Sequence, residues 1–324
     1  MNETQRYIIG EHIEDYEDGL ITRRELLRRV TLITGSATAA LTALVVLGCN
    51  LERPAAVVTP TAPPPVASSS PQVAYAIPPA AATTDGVTVR PDNPRIRIEP
   101  ADVKGPDGAA LISYLARPNG GGNWNGILVI HENRGLTEHI RDVIRRVATA
   151  GFVGLGIDLV SRQGGADKLT DAAAYQAALG NRSTADMVMD EQAAIASLLA
   201  QTFSNGKIGV VGFCFGGGMT WSVLAAGTSV QAAAPFYGPM PQDSSGLAKT
   251  KAAVSAVYAE KDTPITGTKD QMEALLAQAG VPHQLTVYSG VDHAFHNDTG
   301  ARYDATQAQK AWIATIEWFA KYLA

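Results

Sequence analysis

Gly212-Phe213-Cys214-Phe215-Gly216-Gly217-Gly218 is the stretch on which the reading of this chain turns. The apolar run at 207–211 before it has the length of a buried strand, and residues 219–226 after it read as a helix. A strand-to-helix turn of the form Gly-x-nucleophile-x-Gly holds its central residue in a strained conformation, with the side chain clear of the sheet. Glycines flank it because strand and helix pass too close there for a Cβ. Cysteine stands where serine is more usual. Most free cysteines are inert core residues, but the framing of Cys214 marks it as a candidate nucleophile.

Working outward, the pattern alternates strand and helix. Strands are expected at 95–99, 109–117, 126–130 and 152–157, and again at 232–237, 253–258 and 284–288. Helices are expected at 138–150, 171–179, 184–201, 268–279 and 304–322, the first with Ile140, Val143, Ile144 and Val147 on one face. Such alternation implies an α/β fold, a mostly parallel sheet with helices on both faces. Residues 88–324 form one domain on this reading.

In open parallel sheets, chemistry sits past the carboxyl ends of the strands. After the 253–258 strand comes Ala259-Glu260-Lys261-Asp262-Thr263-Pro264, and after the 284–288 strand comes Gly290-Val291-Asp292-His293-Ala294-Phe295. Cys214, Asp262 and His293 therefore follow the order nucleophile, acid, histidine that suits an elbow of this kind. Histidine raises the reactive fraction of the thiol, and an aspartate behind it fixes the imidazole tautomer. Phe215, just after the nucleophile, offers a backbone N–H to an oxyanion. Glu260 competes with Asp262, and His296 with His293. Asp292, His293 and His296 lack the further ligand cluster a metal site needs, so no metal or cofactor is expected.

The chain has 324 residues, 46% hydrophobic and 18% charged, with a formal charge of −5. That balance gives no basic footprint for nucleic acid. The two cysteines, Cys49 and Cys214, lie in such different settings that a disulfide between them is not expected. Residues 1–49 read as address and tether. Thr22-Arg23-Arg24-Glu25-Leu26-Leu27 resembles a twin-arginine export signal, an uncharged apolar run follows at 30–48, and Val46-Leu47-Gly48-Cys49 loosely resembles a lipoprotein processing site with Cys49 lipidated. An uncleaved membrane anchor is the rival reading. Both place the protein outside the cytoplasm on a membrane. The acidic stretch at 1–20 suggests no role, and residues 50–87, rich in Pro, Ala, Ser and Thr, read as a spacer.

Over residues 127–319 the chain resembles the dienelactone hydrolase family of α/β-hydrolases. Gly212-Phe213-Cys214-Phe215-Gly216-Gly217 is similar to its elbow, His293-Ala294-Phe295 to its catalytic loop, and Asp262 fits its acid position. The resemblance implies an α/β-hydrolase fold and hydrolysis of a small-molecule ester or lactone, of carboxymethylenebutenolide type among others. It further implies that Glu132 accepts a bond from the resting thiol and that the N–H of Asn133 is the second oxyanion donor. Arg162, in Asp158-Leu159-Val160-Ser161-Arg162, would bind a substrate carboxylate, which suits a guanidinium. One position departs: Asn297 stands where the family's dienelactone enzymes carry a second arginine, for which Arg302 or Arg134 would have to substitute. The competing functional classes are an exported, non-catalytic binding protein for small molecules and a redox thiol lacking a resolving partner.

Overall fold

The structure is a computed structural model that describes residues 1–51 and 87–324. The spacer expected at 50–87 therefore lies almost wholly outside the described residues.

An eight-stranded sheet forms the centre, in the order β1-β4-β6-β5-β7-β8-β9-β10. Its strands are β1 (Ile96–Glu99), β4 (Ser113–Pro118), β5 (Trp124–Ile130), β6 (Val153–Ile157), β7 (Ser204–Phe213), β8 (Ala232–Phe236), β9 (Ala253–Ala259) and β10 (His283–Tyr288). The pairs β1/β4 and β4/β6 are antiparallel, and all pairs from β6 to β10 are parallel. Strands β6, β8 and β9 are buried along their whole length. Such strands are covered on both faces and read as continuous apolar runs rather than alternations. The segment expected as one strand at 109–117 is two: β3 (Ala110–Leu111) leaves the sheet to pair with β2 (Val103–Lys104), and only β4 enters it.

Helices α4 (Glu138–Thr149), α5 (Gly165–Lys168), α6 (Ala172–Gly180), α7 (Thr184–Leu199), α8 (Phe215–Ala225), α9 (Thr263–Thr266), α10 (Lys269–Ala279) and α11 (Ala305–Tyr322) connect the strands. The chain steps from β5 to β6 on one side and returns to β7 on the other. That reversal opens a crevice at the strand ends between β5 and β7, where the loop after Ile130 meets the turn after Phe213.

The N-terminal residues do not stand apart from this domain. They form three helices, α1 (Glu3–Glu17), α2 (Arg23–Thr34) and α3 (Ala37–Val46), and Ile8, Ile9, Leu26, Val30 and Leu44 join the apolar core with no exposed surface. The capping is local and complete. Asn2 and Gln5 form a reciprocal capping box on α1, and Thr22 and Ser36 cap α2 and α3. The apolar run at 30–48 is interrupted by a left-handed Gly35 that ends α2, and α2 meets α3 at 105°. No single described helix is long and apolar enough to cross a membrane, although this bent pair passes by length and composition. The tethering ion pair Arg28–Asp171 spans 2.9 Å, and Asn2 Nδ2 donates to the Gly180 carbonyl at 2.8 Å.

The elbow depends on backbone contacts that leave no room for side chains. A Cβ on Gly212 would lie 2.0 Å from the Gly216 carbonyl oxygen, and one on Gly216 would lie 2.3 Å from that of Ile130. Gly216→Ala should therefore destabilise the fold by about 3 kcal/mol or more, beyond the usual cost of overpacking. Chemical denaturation of the full chain measures this, and an unchanged midpoint would remove the close-approach argument.

Candidate active site

Cys214 sits between β7 and α8 with φ 56° and ψ −120°, a left-handed conformation that costs a non-glycine residue energy. Its N–H donates to the Phe236 carbonyl at 3.1 Å, which locks the turn to β8. Phe215 is the first residue of α8, where backbone N–H groups have no partner within the helix. Three other strand ends deliver the remaining groups: β9 leads to Asp262, β10 to His293, and β5 to Glu132 and Asn133.

Asp262 Oδ2 and His293 Nδ1 are 2.7 Å apart, and both residues are almost completely buried. The Tyr237 ring packs edge-on against the His293 ring at 5.0 Å and limits how it can turn. Both rivals have other work. Glu260 accepts from the Gly290 N–H at 2.7 Å and holds a turn. His296 stacks on Phe213 at 4.9 Å, and burial holds its ionisation well below the usual histidine range, so it is a neutral core residue. Asp292 accepts from the N–H of His293 at 2.7 Å.

The free nitrogen of His293 meets a group that sequence reasoning missed. Nε2 lies 3.5 Å from Glu11 Oε2 of α1, and the same carboxylate lies 3.8 Å from Cys214 Sγ. One helical turn earlier, the Tyr7 hydroxyl lies 3.2 Å from Sγ. Glu11, Cys214 and His293 have their polar atoms within 4.8 Å of one another. Carboxylate, thiolate and imidazole are also the donors zinc accepts. An ion held there would occupy the same thiol and nitrogen that nucleophilic chemistry requires. The signal for the missed pair was present as a polar stripe, Thr4, Tyr7, Glu11 and Glu14, at helical spacing. A polar stripe of this kind does not by itself name the surface it faces.

Glu132 and Arg162 both have protein partners. Glu132 Oε2 accepts from Asn297 Nδ2 at 2.6 Å, and the carboxylate that contacts the thiol, at 3.8 Å, is Glu11. Asn297 thus fills the second-arginine position as a partner of Glu132. Arg162 is bound on both edges, to Asp107 at 2.7 and 2.8 Å and to Asp190 at 2.7 and 2.9 Å. Arg302 pairs with Asp15 and Asp18, and Arg134 is exposed. Asp158, in the loop that carries Arg162, is a buried organiser. It accepts from the N–H groups of Val160 and Ala166, both at 2.9 Å, and from the Tyr175 hydroxyl at 2.8 Å.

Charge is concentrated around the thiol. Burial pushes the Cys214 thiol above its ordinary value, Glu11 adds to that, and His293 opposes it. Burial works against a charged His293, but Glu11, the thiol and Asp262 outweigh it and hold the imidazole well above its ordinary value. Burial and then Glu11 push Glu14 up to about 7. Glu11 raises the proton affinity of both Cys214 and His293, so Glu11→Gln should move both ionisations to lower pH. Ultraviolet thiolate absorbance against pH should show the Cys214 inflection shifted down. An unmoved inflection would place Glu11 outside the electrostatics of the thiol.

Residues 111–323 match the dienelactone hydrolase family. A protein of Methylorubrum extorquens named "Putative carboxymethylenebutenolidase" is 33% identical over 222 residues, covering 65% of this chain and 76% of that one. A Synechocystis protein of the same name is 34% identical over 221 residues, with 62% and 88% covered. Among solved structures, one titled a "Putative Dienelactone Hydrolase" from Klebsiella pneumoniae superposes with a TM-score of 0.64 at 28% identity, covering 70% of this chain and 99% of that one. With the sheet order, the strained elbow and its strand-end companions already in place, these likenesses identify the chain as a member of the dienelactone hydrolase family of α/β-hydrolases, a hydrolase of carboxylic esters or lactones.

Proposed function

We propose that the chain cleaves its ester or lactone through Cys214, His293 and Asp262, by way of an acyl-enzyme. The observation that carries this is the contact of Asp262 with His293 Nδ1 at 2.7 Å, which leaves Nε2 facing the thiol side. In its neutral form Nε2 takes the thiol proton as sulfur attacks the carbonyl carbon, and Asp262 stabilises the resulting imidazolium. The N–H groups of Phe215 and Asn133 would receive the oxyanion. On collapse the C–O bond breaks and the leaving oxygen takes the proton from Nε2. Water, deprotonated by the same nitrogen, then cleaves the thioester and returns the thiol. Cys214→Ala and His293→Ala should each lower kcat by on the order of 10⁴ or more. Asp262→Asn should cost about 10³–10⁴ through the wrong tautomer. Turnover of an aryl ester by the purified variants measures all three, and undiminished turnover in any of them removes that residue from the triad.

The substrate favoured by these surroundings is neutral. Arg162 already holds Asp107 and Asp190, and Glu132, which stays beside the elbow, adds negative charge near the thiol. An acidic substrate would meet that like charge while Arg162 stays engaged by its two aspartates. An uncharged aryl ester should exceed a carboxylate-bearing enol lactone of similar size by at least about tenfold in kcat/KM. The reverse preference would mean that Arg162 releases its partners for substrate.

The reading of residues 1–49 as an export and membrane-attachment segment stands as part of this proposal, supported by the Arg23-Arg24 pair and by Cys49. Mass analysis of the mature N-terminus from membrane fractions tests it. A lipidated N-terminal Cys49 is expected, and an intact Met1 in every fraction would exclude processing there.

A further inference from the structure

Tyr7 and Glu11 stand where the acyl group of a substrate has to stand. A carbonyl carbon must come within about 3–3.5 Å of the sulfur, on the side where Nε2 of His293 can take the thiol proton. On that side the Tyr7 hydroxyl lies 3.2 Å from Sγ, and Glu11 Oε2 lies 3.8 Å from Sγ and 3.5 Å from Nε2. Cys214 is 4% exposed and His293 2%. The space beside the elbow, bounded by Thr4, Tyr7, Phe215, Met219 and Met240, measures about 30 Å³. That volume admits a water but no ester. A wider cleft of about 380 Å³ follows the outer edge of α1 and reaches Asp262, but neither Cys214 nor His293 lines it.

The geometry points to α1 as a built-in plug: with Tyr7 and Glu11 on the thiol the site is closed to substrate, and turnover requires α1 to leave the elbow. The inference rests on Cys214 being the nucleophile. It fits the protonated thiol, which Glu11 helps to keep in the less reactive form. Displacement leaves the core sheet intact, because α1, α2 and α3 contribute no strand to it. Their polar moorings lie at a distance from the thiol: Asn2 on Gly180, Glu3 on the N–H of Gln242, Arg28 on Asp171, and Asp18 on Arg302. All three helices precede Cys49, so a cut before Cys49 would release the plug in one piece.

Alkylation of Cys214 by iodoacetamide tests access without reference to any substrate. The full chain is used with Cys49→Ala, modification is located by peptide mass mapping, and each rate is corrected for the thiolate fraction from its own pH dependence. Cys214 in this parent should react far more slowly than a free cysteine. Tyr7→Ala should speed it by at least about tenfold by opening the site. Arg28→Ala, which loosens a mooring and touches no site residue, should speed it by about two- to fivefold. Aryl ester hydrolysis should rise in the same order. If the parent thiol reacts like a free cysteine, or if Tyr7→Ala folds, leaves alkylation unchanged and loses hydrolysis, the plug is overturned and Tyr7 joins the catalytic machinery. If alkylation follows the expected order but no variant hydrolyses any ester, the plug stands and the nucleophilic reading of Cys214 fails.

Discussion

The approach of the α8 backbone to the ends of β5 and β7 is the constraint on which the site depends. Gly212 and Gly216 are pressed together, and Gly216 is pressed in turn against the carbonyls of Ile130 and His131. Three features follow from that single contact. The strained Cys214 is set between β7 and α8, the N–H groups of Gly217 and Gly218 close on its carbonyl, and the loop carrying Glu132 and Asn133 is held at its side. His131 fixes that loop from below, accepting the N–H of Leu159 at 3.1 Å through Nε2, while burial keeps its ring from ionising.

Around this scaffold the site gathers more negative charge than one imidazole can balance. Asp262 and Glu11 flank His293 on its two nitrogens, and Glu132 and Glu14 stand close behind. A buried carboxylate at Nε2 competes with the thiol for the imidazole. Arg162 and Arg302 are held by Asp107, Asp190, Asp15 and Asp18, whereas Arg134 is exposed. The same electrostatics favours the protonated thiol.

Much of this was legible in the sequence. Runs such as 232–237 and 253–258 are too short and too apolar for anything but strands buried on both faces, and turn residues bound each of them. Asp262 and His293 could be picked from their rivals only as strand-end residues in the right order. Glu260 and His296 also lie near strand ends, and their roles in a turn and in the core depend on contacts with Gly290 and Phe213 that no local pattern specifies. The segment at 109–117 read as one strand because alternation does not reveal which partner each half will pair with.

The amino-acid sequence by itself determined the sheet-and-helix alternation, the elbow and the order of its companions, because each is written in a local period, a glycine frame or a position after a strand. Only the tertiary structure decided what touches what. It set Asn297 on Glu132, closed Arg162 between two aspartates, and laid Tyr7 and Glu11 over a thiol more than half the chain away. A basic, then apolar, N-terminal run carries the composition of an address. Whether it also folds back depends on the shape and polarity of the surface it meets, which exists only once the sheet has formed.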